Sequence, residues 1–214
     1  MSPVKLSIVV FAYNESENIP PVMTELISWL RANPVSSEIV FVDDGSTDTS
    51  LEIAKRSLAG IEHRCLRHKQ RSGIGAALKT GVAAARGEWV SFLPADGQIP
   101  PEALGILMSS QYENKSNIVF SVYENRNDGV HRKILSWGVR TLIFLLLGVR
   151  LKSDGPYLFR RLLFNRKKLP SDSFFLNLNF LFACCAHKSL IQWSSSLAAP
   201  DWPVVLNQRT HDKR

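Results

Sequence analysis

Five short strand-like runs, each followed by a helix-like segment or a turn, restrict this chain more than any other feature. The runs are Ser7–Phe11 (SIVVF), Glu38–Val42 (EIVFV), Ile61–Arg67, Glu88–Leu93 (EWVSFL) and Asn117–Tyr123 (NIVFSVY). Between them, Glu17–Arg31, about Asp48–Leu58, Ser72–Arg86 and Pro101–Gln111 read as helices. Strands that are apolar on both faces and separated by helices predict a parallel sheet covered on both sides. With 214 residues, the chain has room for one sizeable core of this kind. Ligands of such sheets bind beyond the carboxyl ends of the strands. Three segments stand there: Tyr13–Glu15, Asp43–Asp48 and Pro94–Gln98.

Each segment carries oxygen ligands. In Val42–Asp48 (VDDGSTD), Asp43 and Asp44 leave an apolar strand, Gly45 turns the chain, and Asp48 is expected to cap the next helix. A cap needs one carboxylate. Two more at the top of a buried strand are costly unless they bind something, and base N–H groups or ribose hydroxyls are fitting partners. In Phe11–Pro20 (FAYNESENIP), Glu15 adds a carboxylate to the same edge, although a helix N-terminus alone would accommodate it. In Phe92–Pro101 (FLPADGQIPP), Asp96 and Gln98 are paired oxygen donors suited to a hard cation, Mg²⁺ or Mn²⁺, whose shell diphosphate oxygens would complete. The segment Arg71–Gly87 has Gly73 and Gly75 but neither a full GxGxxG nor a Walker lysine. Its small residues, Gly75, Ala76, Gly81, Ala84 and Ala85, favour close packing of a helix on the sheet, with Arg71 in reach of a nucleotide.

The order YNE, VDDGSxD, GxGAAxxxGxxxAxG and ADGQxxP resembles the family 2 glycosyltransferases of GT-A fold. Within them, ADGQIPP and the basic loop and helix ENRNDGVHRKILSWGVRTLIF are most similar to the dolichol-phosphate mannose synthase-like branch, the polyprenyl-phosphate glycosyltransferases. The four motifs lie within residues 7–105, and the similarity loosens after about residue 150. The resemblance implies a Rossmann-like sheet flanked by helices that binds a nucleoside-diphosphate sugar. It places Asp44 on the base, Glu15 on the ribose or base, Tyr13, Asp43 and Arg71 nearby, and Asp96 with Gln98 on the metal. It also implies inversion by direct displacement onto a lipid phosphate. That acceptor is already ionised, so no dedicated base is needed. Two departures stand out. Pro94 replaces the first Asp of the family's Asp-x-Asp, and Asp154 is the counterpart of a family Asp in a shortened segment, Lys152–Arg161.

The second half differs in charge. Residues 1–107 carry 10 basic and 12 acidic side chains; residues 108–214 carry 16 and 7, which accounts for the overall +7. The surplus sits in Arg126–Lys168, with 11 basic and 2 acidic residues around the apolar stretch Ile134–Val149. A helix is expected over His131–Val149, a second apolar helix over Ser173–His187 and a late strand over Pro203–Asn207. At 16 residues and with Arg140 inside it, Ile134–Val149 falls short of a membrane span. Basic and apolar surface together predict amphipathic helices lying on an anionic membrane. Arg126, Arg132 and Lys133 are the expected holders of the acceptor phosphate, Arg126 and Arg132 as catalytic groups beside Asp96. No nucleic-acid recognition module accompanies the charge. Three cysteines without framework spacing point to a reducing compartment, hence the cytoplasmic face of a membrane.

The expected organisation is therefore a nucleotide-sugar-binding core over residues 1–124 and an acceptor and membrane-interface region over 125–214. The expected activity is sugar transfer from a nucleotide sugar to a polyprenyl phosphate. A transferase with a soluble saccharide or metabolite acceptor, and a degenerate nucleotide-sugar-binding protein suggested by Pro94, stay open beside it.

Overall fold

Strand β1 (Leu6–Ala12) is buried along almost its whole length, as its unbroken apolar run requires. The computed structural model describes residues 4–122 and 156–164, and the backbone of 204–208. After β1 come α1 (Ile19–Ala32), β2 (Ser37–Asp43), α2 (Ser50–Ser57), β3 (His63–Arg67), α3 (Ile74–Ala84), β4 (Trp89–Pro94), α4 (Glu102–Asn114) and β5 (Ile118–Val122). Then follow β6 (Tyr157–Arg160), a single 3₁₀ turn (Arg161–Leu163) and β7 (Val204–Gln208).

These strands form one sheet in the order β3-β2-β1-β4-β6-β5-β7. Strands β1 to β4 pair in parallel. The all-parallel expectation is corrected beyond β4. Strand β6 pairs antiparallel with both β4 and β5, and β7 pairs antiparallel with β5. The sheet is thus mixed. Part of the basic stretch Arg126–Lys168 lies in an inner strand, β6.

Alternation along the strands sorts side chains to two cores. Ile8, Val10, Ile39, Phe41 and Leu93 join α1, α2 and α4 on one face. Val9, Val40, Val42, Val90 and Phe92 meet α3 and the aromatic cluster of Phe120, Tyr157 and Phe159 on the other. Helix α3 lies close because Gly81 faces Val9; a Cβ there would collide with the valine methyls. Prolines 20 and 21 stand in the first turn of α1, where the missing N–H costs nothing. Helix α2 starts two residues later than Asp48. Thr49 holds the cap position, and Asp48 instead accepts from Ser50 N–H at 3.0 Å through Oδ1.

Among the described residues, no helix is long and apolar enough to cross a membrane. The amphipathic helices expected over 131–149 and 173–187 lie outside the described residues.

Candidate nucleotide-sugar site

The strand order reverses between β1 and β4: β2 lies on one side of β1 and β4 on the other. In open sheets of this kind, ligands bind at the carboxyl edge of such a switch point. Register brings the three expected segments there together. Ala12 is opposite Asp43, and Phe11 is opposite Pro94. Just past the ladders, Asp44 N–H bonds Ala12 O at 2.9 Å, and Ala95 N–H bonds Phe11 O at 3.0 Å.

The loops after β1 and β2 are stitched to each other. Asn14 N–H donates to Ser46 Oγ (3.0 Å), Glu15 N–H to Ser50 Oγ (2.9 Å) and Ser16 N–H to Asp48 Oδ2 (3.2 Å). In return, Thr47 N–H donates to Asn14 Oδ1 at 2.8 Å. Asn14 adopts the left-handed conformation (φ 54°), which asparagine tolerates better than most residues. Burial pushes the Asp48 carboxyl up, but bonds from Ser50 and Ser16 outweigh it, and its pKa is lowered overall.

Asp43 and Asp44 have different environments, as neighbours at a strand end must. Expected among the substrate-binding residues, Asp43 is fully enclosed. Its Oδ1 accepts from Ser46 N–H at 3.1 Å, and Arg67 Nε lies 3.2 Å from Oδ2 as an ion pair without hydrogen-bond geometry. Asp43 therefore fixes the turn and holds Arg67. Asp44, also buried, gathers the Gly-rich loop. Its Oδ1 accepts from Ser72 N–H (2.9 Å) and contacts His68 Nδ1 (2.7 Å), and its Oδ2 accepts from Gly73 N–H (2.8 Å). Gly45 makes this possible. It sits at φ 78°, and a Cβ would come within 2.5 Å of the Gln70 carbonyl carbon.

Tyr13 and Arg71 meet: the guanidinium carbon lies 4.3 Å from the ring centroid, a cation–π contact. Glu15 is partly exposed and accepts from Asn18 Nδ2 at 2.7 Å. Asp96 is partly exposed and Gln98 exposed, on a tight turn in which Gln98 N–H donates to Asp96 Oδ1 at 2.9 Å and Gly97 has φ 74°. Among the described residues, the second Asp96 oxygen has no hydrogen-bond donor. Among the described residues, no group of three or more His, Cys, Asp or Glu side chains could hold a metal by itself. One carboxylate and one amide oxygen fit a cation that brings most of its shell with it, as Mg²⁺ on a diphosphate does.

Arg126, Arg132, Lys133 and Asp154 lie outside the described residues. His68 was not among the expected site residues, yet it belongs to this edge. The readable signal is its place directly after β3, at the same end as the other three segments. Asn14 and Ser46, which lock the loops, were also missed; polar side chains that bond backbone leave no pattern in sequence.

A mixed sheet with helices on both faces and carboxylates gathered at the carboxyl edge of its switch point is the Rossmann-like, GT-A class of fold. The glycosyl transferase family 2 model matches residues 7–186, and the chain belongs to that family. It is 30% identical over 154 residues to the dodecaprenyl-phosphate galacturonate synthase of Rhizobium johnstonii, covering 71% of this chain and 46% of that protein. It is 29% identical over 155 residues to the undecaprenyl-phosphate 4-deoxy-4-formamido-L-arabinose transferase of Salmonella choleraesuis, covering 72% and 46%. The chain thus spans just under half the length of either relative. Among solved structures, glucosyl-3-phosphoglycerate synthase of Mycobacterium tuberculosis superposes with a TM-score of 0.66 at 24% identity, covering 86% of this chain and 66% of that one. A crystal structure of the same enzyme with Mn²⁺, UDP-glucose and phosphoglyceric acid gives 25% identity and a TM-score of 0.58, covering 75% and 58%.

Proposed function

We propose that this chain transfers a sugar from a nucleoside-diphosphate sugar to a polyprenyl phosphate, with inversion, at the cytoplasmic face of a membrane. The observation that carries the donor half is the convergence of Tyr13 with Arg71, Asp44 and Asp96 on one sheet edge of a family 2 chain. The acceptor half rests on two relatives whose names specify polyprenyl phosphates. The basic, apolar sequence of Arg126–Lys168 supports it.

In this reading, Asp44 offers an acceptor to the base, Glu15 to the ribose, and Arg71 with Tyr13 flank the nucleotide. Asp96 and Gln98 would hold a divalent cation, which supplies Lewis-acid stabilisation of the leaving diphosphate. Arg126, Arg132 and Lys133 would hold the acceptor phosphate. Its ionised oxygen attacks the anomeric carbon as the bond to the diphosphate breaks on the opposite side, so the chain need only bind, align and exclude water. Asp154 would line the acceptor side.

A soluble acceptor is the second reading, favoured by the phosphoglyceric acid bound to the M. tuberculosis enzyme. The deciding assay measures nucleoside diphosphate released from UDP- and GDP-sugars with Mg²⁺ or Mn²⁺, with and without undecaprenyl phosphate in anionic vesicles. Stimulation by the lipid phosphate, together with co-sedimentation of the chain with the vesicles, is the expected result. Release stimulated only by soluble acceptors would replace this reading with the second, and no release from any donor would favour a degenerate binding protein.

A further inference from the structure

His68 links three elements at the candidate site. Its own N–H bonds Asp43 O at 2.9 Å, which roots the residue beside the end of β2. Its ring then spans from Asp44 Oδ1 (Nδ1, 2.7 Å) to Thr80 Oγ1 on α3 (Nε2, 2.9 Å). Both side chains are largely enclosed, at 15% and 8% exposure for His68 and Asp44. The carboxylate accepts only, so Nδ1 carries a hydrogen toward it, and in the neutral ring Nε2 accepts from the Thr80 hydroxyl.

An ionised carboxylate has about four acceptor positions. On Asp44, His68 and Ser72 N–H occupy two on Oδ1, and Gly73 N–H occupies one on Oδ2. Among the described residues, one position remains, on Oδ2. The two amides belong to a loop that closes onto the carboxylate, whereas His68 is anchored independently, through its backbone to β2 and through Thr80 to α3. Without the imidazole, Asp44 can turn about its last torsion and carry the loop with it, because sp³–sp² torsions are soft.

We propose that His68 is a positioning residue for the nucleotide: clamped between Asp44 and Thr80, it fixes the plane of the Asp44 carboxylate and so aims the remaining acceptor on Oδ2. This rests on the donor-site reading above. The imidazole touches neither nucleotide nor sugar, and it acts on donor affinity more than on the chemical step.

The test is calorimetric titration of the full chain with UDP, GDP and dTDP in Mg²⁺, for wild type, His68→Leu, His68→Asn and Thr80→Val. Leucine keeps volume without the donor, and asparagine puts an amide N–H near the Nδ1 position. His68→Leu is expected to weaken the best-binding nucleotide about tenfold, the size of a lost bond to a charged group. His68→Asn restores most of that, and Thr80→Val falls between. Where turnover is measured, donor KM rises while kcat changes far less, a split that a general loss of folded protein does not produce. A folded His68→Leu chain that binds like wild type overturns the proposal, as does an equal loss in His68→Leu and His68→Asn. If His68→Leu does not fold, the other two variants decide: weakened binding in Thr80→Val with near-normal His68→Asn supports the clamp, and any other pattern overturns it. A wild-type chain that binds none of the three nucleotides defeats the donor-site reading itself, and the proposal with it.

Discussion

Two buried carboxylates stand at opposite ends of β2 and are used in opposite ways. At the amino end, Glu38 is fully enclosed and met by cations. Its Oε1 accepts from Ser7 Oγ (2.7 Å) and Arg86 N–H (2.6 Å), its Oε2 from Arg86 Nε (3.0 Å), and Arg64 Nε lies 3.9 Å away. Arg86 also pairs with Glu62, and Gly87 N–H returns to Ser7 Oγ at 2.8 Å. At the carboxyl end, Asp44 is met by two neutral amides and an imidazole, with Glu15, Asp48 and Asp96 on neighbouring turns. The first arrangement is closed: charge is compensated and donors are matched to acceptors. The second has, among the described residues, an acceptor position that no donor fills, which costs stability unless a ligand completes it. One strand thus carries a fastening at one end and, in the reading proposed above, the nucleotide site at the other.

The contrast can be broken in several ways. Glu38→Ala should cost the most, about 3 kcal/mol, the low end for removing one member of a buried ion pair because Arg86 is half exposed and can rehydrate. Denaturant unfolding checks this, and nucleotide affinity of the folded variant should stay near wild type. A matching loss of affinity would mean that the two ends are not independent. Gly45→Ala forces a left-handed alanine against the Gln70 and Arg71 backbone and should cost about 1–3 kcal/mol. Unlike Glu38→Ala, it should also weaken nucleotide binding, since the loop that must shift is the one held by Asp44.

Acid sharpens the same comparison. Burial pushes Glu38 up, but the bonds from Ser7 and from Arg86 backbone and side chain, with the Arg86 charge, outweigh it, leaving the carboxyl below its ordinary value of 4.5. A lowered folded pKa means that the unfolded chain binds the proton first as pH falls. The stabilisation is therefore complete above about pH 4.5 and is lost as pH drops through the lower, folded value. Glu38→Gln should show a shallower loss of stability below that point; identical acid limbs would remove Glu38 as the fastening. The smallest effect on stability is expected from Asp96→Ala, within about 0.5 kcal/mol for a partly exposed turn residue. Its signature is instead lost potentiation of nucleotide binding by Mg²⁺ or Mn²⁺, read by titration with and without the cation.

The sheet's first half was legible because its signals are local. β1, β2 and β4 are apolar on both faces, and the carboxylates follow them directly in sequence. Strand β6 was not, because YLFR is four residues long and its partners, such as Trp89 opposite Arg160, are remote in the chain. The same limit explains the aspartate pair. The resemblance puts Asp44 on the base and Asp43 nearby, but only the structure shows Asp43 turned inward on Arg67 while Asp44 gathers the 70–73 loop. His68 escaped notice because β3 is an edge strand with half-exposed residues, and its end carries no apolar run to draw attention to it.

Chemical-shift mapping on the isotopically labelled chain, titrated with UDP and then GDP in Mg²⁺, tests the central claim most directly. Perturbed amides are expected at Tyr13, Gly45, Ser72 and Gly97, on the carboxyl edge, with Ser7, Arg86 and Gly87 unmoved. Perturbations centred on the Glu38 end, or spread evenly over both, would contradict it.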